Sequence, residues 1–106
     1  MRVVRYHPKA REEFLRQVVF YSDVSPRLAE RYAKAVRNAE IQAAEAPEQW
    51  PPYRLKTRRV IDRTFKFSLV YLYNEQEIYV VAIASTRRKP DYWRARLASS
   101  VPPSSD

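Results

Sequence analysis

TFKFSLVYLYNEQEIYVVAIASTRRKPDYWRAR, residues Thr64 to Arg96, holds two apolar runs on either side of the polar break Asn74-Glu75-Gln76-Glu77. The runs, Phe65–Tyr73 and Ile78–Ala84, are rich in β-branched and aromatic side chains, which pack well on a pleated surface. A polar break of this length between two such runs predicts a β-hairpin. Phe65, Phe67, Leu69, Tyr71 and Tyr73 share one face at period two. Val70 and Leu72 make the other face apolar as well, and the second run is apolar at nearly every position. Strands buried on both faces belong in the middle of a sheet. The second run leads straight into Arg87-Arg88-Lys89-Pro90-Asp91-Tyr92-Trp93-Arg94, a cationic and aromatic knot. A charged loop leaving a rigid strand is a common way for a small fold to present a working surface.

Outward from that hairpin, the N-terminal half reads as a strand and two helices. Val3-Val4-Arg5-Tyr6 is a short strand, and Pro8 suits the first position of the helix after it. Ala10, Phe14, Val18 and Tyr21 form that helix's apolar stripe, widened by Leu15 and Val19, with Arg11, Glu12, Glu13 and Arg16 outside. The helix is expected over Pro8–Tyr21. Ser25 as N-cap and Pro26 as the first helical residue open a second helix over Pro26–Ala46. Its inner side carries Leu28, Tyr32, Ala35, Val36, Ala39 and Ala43. So short a link predicts an antiparallel helical hairpin. Pro47 ends the second helix, and Trp50 beside Pro51 and Pro52 reads as a packing lid. Tyr53–Val60 is expected to pair as a strand, and Pro90–Leu97 to make one or two helical turns.

The order β-α-α-β-β-β predicts an α+β fold, a twisted antiparallel sheet with the helical hairpin packed on one face. One domain is expected over residues 1–97, with residues 98–106, rich in Ser and Pro, as a disordered tail.

Composition narrows the function. The formal net charge is +8 on 106 residues, with fifteen Arg against five Lys. A field of that size favours nucleic acid or an acidic protein as partner. The charge is concentrated in Arg54–Lys66 and Arg87–Arg96, which hold one acidic residue each. There is no Cys and a single His, His7, so thiolate sites and two-histidine catalysis are excluded and no metal is expected. Glycine is absent, which removes the Gly-rich phosphate loops, and no cofactor is expected. No apolar run is long enough to cross a bilayer, so no membrane association and a cytoplasmic location are expected.

The ordered set Tyr6-His7-Pro8-Lys9-Ala10, Ser25-Pro26, Phe65-Lys66-Phe67-Ser68-Leu69-Val70-Tyr71 and Ala84-Ser85-Thr86-Arg87-Arg88-Lys89-Pro90-Asp91-Tyr92-Trp93 resembles the RelE/ParE superfamily of toxins from bacterial type II toxin–antitoxin pairs. The resemblance runs from Val4 to about Leu97. It implies a growth-inhibiting toxin, a cognate acidic antitoxin that binds and neutralises it, and an oligomer formed with that antitoxin. RelE-like members cut messenger RNA on the ribosome, using Lys, Arg and Tyr to activate a ribose 2′-hydroxyl and stabilise the displaced oxygen. ParE-like members bind and poison DNA gyrase.

Carried over by position, the nuclease set is Lys56, Arg58, Arg87 and Tyr92, with Ser68 where RelE-like members place a strand arginine. The tyrosine near their C-terminus aligns with Trp93, leaving Tyr92 one step away. A wider basic surface of Arg59, Arg63, Arg87, Arg88 and Arg94 is the candidate for phosphate or carboxylate recognition. Trp93 reads as an anchor for the C-terminal turn and His7 as a helix-start residue. Lys56, Arg58 and Arg59 are explained almost as well by a charged edge strand that resists aggregation. Three functions remain: a ParE-like gyrase inhibitor, a RelE-like ribosome-dependent endoribonuclease, and an antitoxin-binding module without retained toxicity. The incomplete nuclease set favours the first.

Overall fold

A computed structural model describes residues 1–98. Strand β1 (Val3–Tyr6) leads into helices α1 (Pro8–Val24) and α2 (Pro26–Glu45); strands β2 (Arg58–Asp62), β3 (Phe67–Tyr73) and β4 (Glu77–Ser85) follow. Three short 3-10 turns lie at Pro47–Gln49, Arg54–Lys56 and Arg94–Ala98. The strand order is β1-β4-β3-β2, so the two apolar runs are adjacent and central, as expected.

The α+β class and the order of elements match the sequence reading, with one refinement. Strands β2, β3 and β4 are antiparallel, but β1 lies parallel to β4, so the sheet is mixed. The parallel pairing follows from the connection: an entire helical hairpin separates β1 from the rest of the sheet, and a crossover of that length can return the chain in either direction.

Both helices start where the sequence places their caps. His7 Nδ1 accepts from the Lys9 N–H at 3.0 Å, and Ser25 Oγ accepts from the Leu28 N–H at 3.0 Å. Pro8 and Pro26 occupy first-turn positions, where no N–H is needed. Helix α1 runs one turn beyond Tyr21, to Val24. The Tyr6 hydroxyl bonds the Glu40 carboxylate and so ties β1 to α2.

The sheet is apolar on both faces. Toward the helices, Phe67, Leu69, Tyr71, Ile78, Val80 and Ile83 pack on Ala10, Tyr32, Val36, Ala39 and Ala43. Alanine at these α2 positions lets the helix backbone come close to its neighbours. Tyr32 is the aromatic centre, with ring centroids of Phe14, Tyr21, Phe65 and Phe67 all within 5.8 Å of its own. On the opposite face Val70, Tyr79, Val81, Ala82 and Ala84 surround Trp93, which is only 1% exposed.

A bulge links the two layers. Val70 pairs with Ala82 and Tyr71 with Val80, leaving Val81 as an extra residue in β4. Val81 and Ala82 therefore both join the second face, and Ile83 returns to the helical side.

Two expectations fail in instructive ways. The segment Tyr53–Val60 is not a continuous strand. Leu55 and Lys56 adopt left-handed backbone (φ 57° and 66°), and pairing with β3 starts only at Arg58. The turn swings Tyr53 and Leu55 over the second face, where they cover the Trp93 cluster. Leu15 and Val19 do not widen the buried stripe of α1 but stay exposed, and Glu13, read as an outer residue, is turned inward. Ala98 closes the last 3-10 turn; residues 99–106, where the rest of the tail is expected, lie outside the described residues.

Candidate functional site

Strand β4 outruns β1. The last backbone link between them is the His7 N–H donating to the Val80 carbonyl at 2.9 Å, after which Pro8 turns the chain into α1. Beyond Val80, no strand among the described residues lies beside the outer edge of β4, and its N–H and C=O groups need other partners. Glu13 and Arg96 supply them. Glu13 Oε1 accepts the Ile83 N–H at 3.0 Å, and Arg96 Nη1 donates to the Val81 carbonyl at 3.0 Å. The two side chains also meet each other in a forked pair, Nη1 to Oε1 at 3.1 Å and Nη2 to Oε2 at 2.8 Å. Both are largely buried, at 12% and 11% side-chain exposure for Arg96 and Glu13. Burial works against the Arg96 charge, but the hydrogen bonds and attraction of Glu13 outweigh it and hold the guanidinium above its ordinary value.

Tyr92 completes the cluster. Its hydroxyl donates to Glu13 Oε2 at 2.7 Å, and its ring lies under the guanidinium groups of Arg88 and Arg96, 3.8 and 5.2 Å from the centroid. Burial, with Glu13 beside it, raises the Tyr92 hydroxyl well above its ordinary pKa.

A cleft of about 380 Å³ opens beside this cluster, between α1 and the ends of β3 and β4. Phe20, Tyr21, Phe65 and Tyr92 wall it, and Arg16, Lys66, Arg87 and Arg88 stand around it. Lys66 is held at φ 59° in the β2–β3 turn. That turn is fixed by the Phe65 N–H donating to Asp62 Oδ2 at 2.7 Å, and by the Thr86 N–H donating to the Lys66 carbonyl at 3.0 Å. Arg87 and Arg88 follow in a turn closed by the Arg88 N–H to Ser85 carbonyl bond at 3.0 Å. Their side chains are exposed on a backbone fixed by the sheet.

The other sequence candidates lie elsewhere. Arg58 is aligned with Tyr71, whereas Ser85, the last residue of β4, is aligned with Phe67, four β3 positions or roughly 13 Å away at strand rise. The Arg58 guanidinium bonds the Trp50 carbonyl and the Glu48 carbonyl (3.4 Å), and lies over the Tyr73 ring. Lys56 projects from the left-handed turn before β2 and is exposed. Arg59 covers the Tyr53 ring at 4.0 Å, and Arg63 and Arg94 are exposed, in the β2–β3 turn and the C-terminal turn respectively. Ser68 is buried, its cross-strand neighbours Ile61 and Ala84. The structure thus groups Arg87, Arg88 and Tyr92 around the cleft, whereas Lys56, Arg58, Arg59, Arg63 and Arg94 do not line it. It adds Glu13, Arg16, Phe20, Lys66 and Arg96, which the sequence did not single out. The i, i+4 spacing of Arg16 and Phe20 was a usable signal; nothing in Glu12-Glu13 tells which of the two faces inward.

Residues 4–90 match the family described as the ParE toxin of the type II toxin–antitoxin system parDE. The chain belongs to this family. It is the toxin half of a two-component pair whose other half is an antitoxin. Among curated proteins compared with it, none matches. The ParE match covers the sheet, the helical hairpin and the Arg87–Arg88 turn; Tyr92, Trp93 and Arg96 follow the matched residues. No helix among the described residues is long and apolar enough to cross a membrane.

Proposed function

We propose that this ParE-family protein arrests growth in the cytoplasm by binding DNA gyrase, not by cutting RNA, and that its antitoxin neutralises it by covering the Arg87–Arg88 surface. The observation that carries the choice is the state of Tyr92. A general acid for the displaced oxygen in RNA cleavage must have a proton free to give. The Tyr92 proton is instead bonded to Glu13, in a hydroxyl whose pKa is raised, while Glu13 is itself held by Arg96. Arg58, the nuclease candidate on β2, is bound to backbone carbonyls four β3 positions from the end of β4, and buried Ser68 offers no cation. What remains at the surface is a set of cations on fixed backbone, suited to grip carboxylates or phosphates of a large partner without a reaction.

The decisive experiment sets two assays beside each other with the same purified protein. Inhibition of gyrase supercoiling without cleavage of messenger RNA on purified ribosomes is the expected result. Ribosome-dependent cleavage with normal supercoiling would replace this function with the RelE-like one. Antitoxin binding with neither effect would leave a binding module.

A further inference from the structure

We infer that the cleft at the ends of β3 and β4 binds a free nucleoside polyphosphate, with its phosphates on Arg16, Lys66, Arg87 and Arg88 and its base against the aromatic wall. The inference goes beyond the toxin–target reading and does not depend on gyrase as the target.

The cations set the charge of the ligand. Arg16, Lys66, Arg87 and Arg88 line the cleft and are exposed, and no ion pair among the described residues engages any of the four. They reach one opening from α1, from the β2–β3 turn and from the turn after β4. Glu13 is the one carboxylate among the described residues lining the cleft, and it is already committed to Arg96, Tyr92 and the Ile83 N–H. No lining carboxylate is left to hold a bridging divalent cation, so the four side chains meet an anion directly. A ligand with several adjacent negative charges matches them. Side chains on fixed backbone take the part that a Gly-rich loop plays in common nucleotide sites.

The wall sets its shape. Glu13, Arg16, Gln17 and Phe20 are spaced i, i+3, i+4 and i+7, so α1 presents one side to the cleft. Phe20 is 59% exposed there, its ring in a T-shaped contact with Tyr21 at 5.3 Å between centroids. A flat base laid on Phe20 takes both surfaces out of water.

Tyr32 adds a polar contact at depth. It lines the cleft although only 2% exposed, and its buried hydroxyl has no hydrogen-bond partner among the described residues. Burial, then Tyr21, Glu13 and Asp62, raise that hydroxyl well above its ordinary pKa, so it holds a proton to donate. Buried hydroxyls without an acceptor are costly, and the ring nitrogens and carbonyl oxygens of a base edge are acceptors. Inorganic polyphosphate would use the cations but neither Phe20 nor Tyr32. A nucleic-acid strand needs a track of cations running past the cleft, whereas Lys56, Arg58, Arg59, Arg63 and Arg94 do not line it. The volume, about 380 Å³, lies in the range of small-molecule sites, about 300–1,000 Å³.

Calorimetry of the full-length protein with ATP, GTP, inorganic triphosphate and adenosine, in EDTA and with added Mg²⁺, tests this. A nucleotide should bind at least about tenfold tighter than triphosphate or adenosine, and excess Mg²⁺ should weaken it by competing for the phosphates. Phe20→Ala should weaken nucleotide binding about 5–100-fold, the range for loss of one base–aromatic stack, and leave triphosphate within about threefold of the parent. Arg16→Gln with Lys66→Gln should weaken both ligands about 10–100-fold. Tyr32→Phe should weaken the nucleotide about 3–10-fold, with a Tm at or above the parent's, because it removes an unpartnered buried hydroxyl. Lys34→Gln with Arg37→Gln, exposed on α2, should leave affinity within about threefold. Melting curves identify any unfolded variant; Lys66→Gln alone then replaces the pair, and Phe20→Leu replaces Phe20→Ala. Triphosphate binding as tight as ATP, binding that requires Mg²⁺, or parent-like nucleotide affinity in the folded cleft variants would overturn the inference. So would a short single-stranded RNA that binds far tighter than ATP and depends on Lys56 and Arg58, which would mark a strand-binding surface.

Discussion

Glu13 and Arg96, 83 residues apart in sequence, stand in for a missing strand. Between them they satisfy the Ile83 N–H and the Val81 carbonyl on the stretch of β4 that β1 does not reach, and they neutralise each other in doing so. This joins three consequences of the sequence. Pro8 ends β1 early, β4 continues past it into the bulge, and the chain's last described turn must come back to cover the exposed edge. The pair also fixes the Tyr92 ring, and through it the position of Arg88 above that ring.

Breaking this pair from one side should therefore cost far more than a surface ion pair. Glu13→Gln or Arg96→Met leaves one buried charge without its partner, and each should destabilise the fold by about 3–5 kcal/mol. The double variant should recover part of that loss, because no charge is then left unpaired. Urea unfolding of the four proteins gives the coupling directly. Additive losses would show that the two side chains act independently.

Trp93 provides a second measure of the same end of the molecule. It is enclosed by Val70, Tyr79, Val81, Ala82 and Ala84, with Tyr53 at 6.3 Å between ring centroids. Trp93→Ala should lower stability by roughly 3–5 kcal/mol, and Leu69→Ala, fully buried on the other face, by about 2–5 kcal/mol. A change below about 0.5 kcal/mol at either position would mean that one of the two layers contributes little.

How much of this was legible in the chain depends on whether a local rule governs it. The central strands were readable because period-two apolar runs such as Phe67-Leu69-Tyr71 have few alternatives, and both helix starts because Ser25-Pro26 and His7-Pro8 are local cap signals. Leu15 and Val19 were misassigned because helical periodicity gives an apolar arc but not which part of it meets the core. The late start of β2 was invisible, since left-handed backbone at Leu55 and Lys56 runs against the preference of both residues and is imposed by packing over Trp93. Glu13 and Arg96 meet only through tertiary structure. Of the cleft, Arg87, Arg88 and Tyr92 were found because they follow a strand end, whereas Arg16, Phe20 and Lys66 come from other elements.

His7 gives the fold a pH dependence of defined sign. Burial, then the charges of Arg96 and Lys9, lower the imidazole pKa below its ordinary 6.5. The unfolded chain thus binds the proton more readily than the folded one, and stability falls as the pH drops below about 6.5 toward the lower folded value. Protonation also removes the lone pair on Nδ1 that accepts the Lys9 N–H. His7→Asn keeps a capping acceptor that does not titrate. Its unfolding free energy should change less than the parent's between pH 7.5 and 5. An identical slope in the two proteins would assign the pH dependence to carboxylates elsewhere.

Arg87 and Arg88 separate toxicity from folding. Both side chains are exposed, they leave the end of β4 that β3 holds on one edge and Glu13 and Arg96 on the other, and their turn is closed by backbone and Ser85 contacts that do not involve the guanidinium groups. Arg88 does lie over Tyr92, but that ring is held from its other end by Glu13, so losing the cation should move it little. Arg87→Ala with Arg88→Ala should abolish growth inhibition and gyrase inhibition, with a melting temperature within about 4 °C of the parent. A folded double variant that still inhibits gyrase would move the working surface to the helical hairpin. A variant that is inactive because it has unfolded would make the arginines structural; Arg87→Lys with Arg88→Lys then tests the chemistry. It keeps both charges and loses the planar fork, so reduced inhibition in a stable protein would show that forked recognition, and not net charge, is what the target requires.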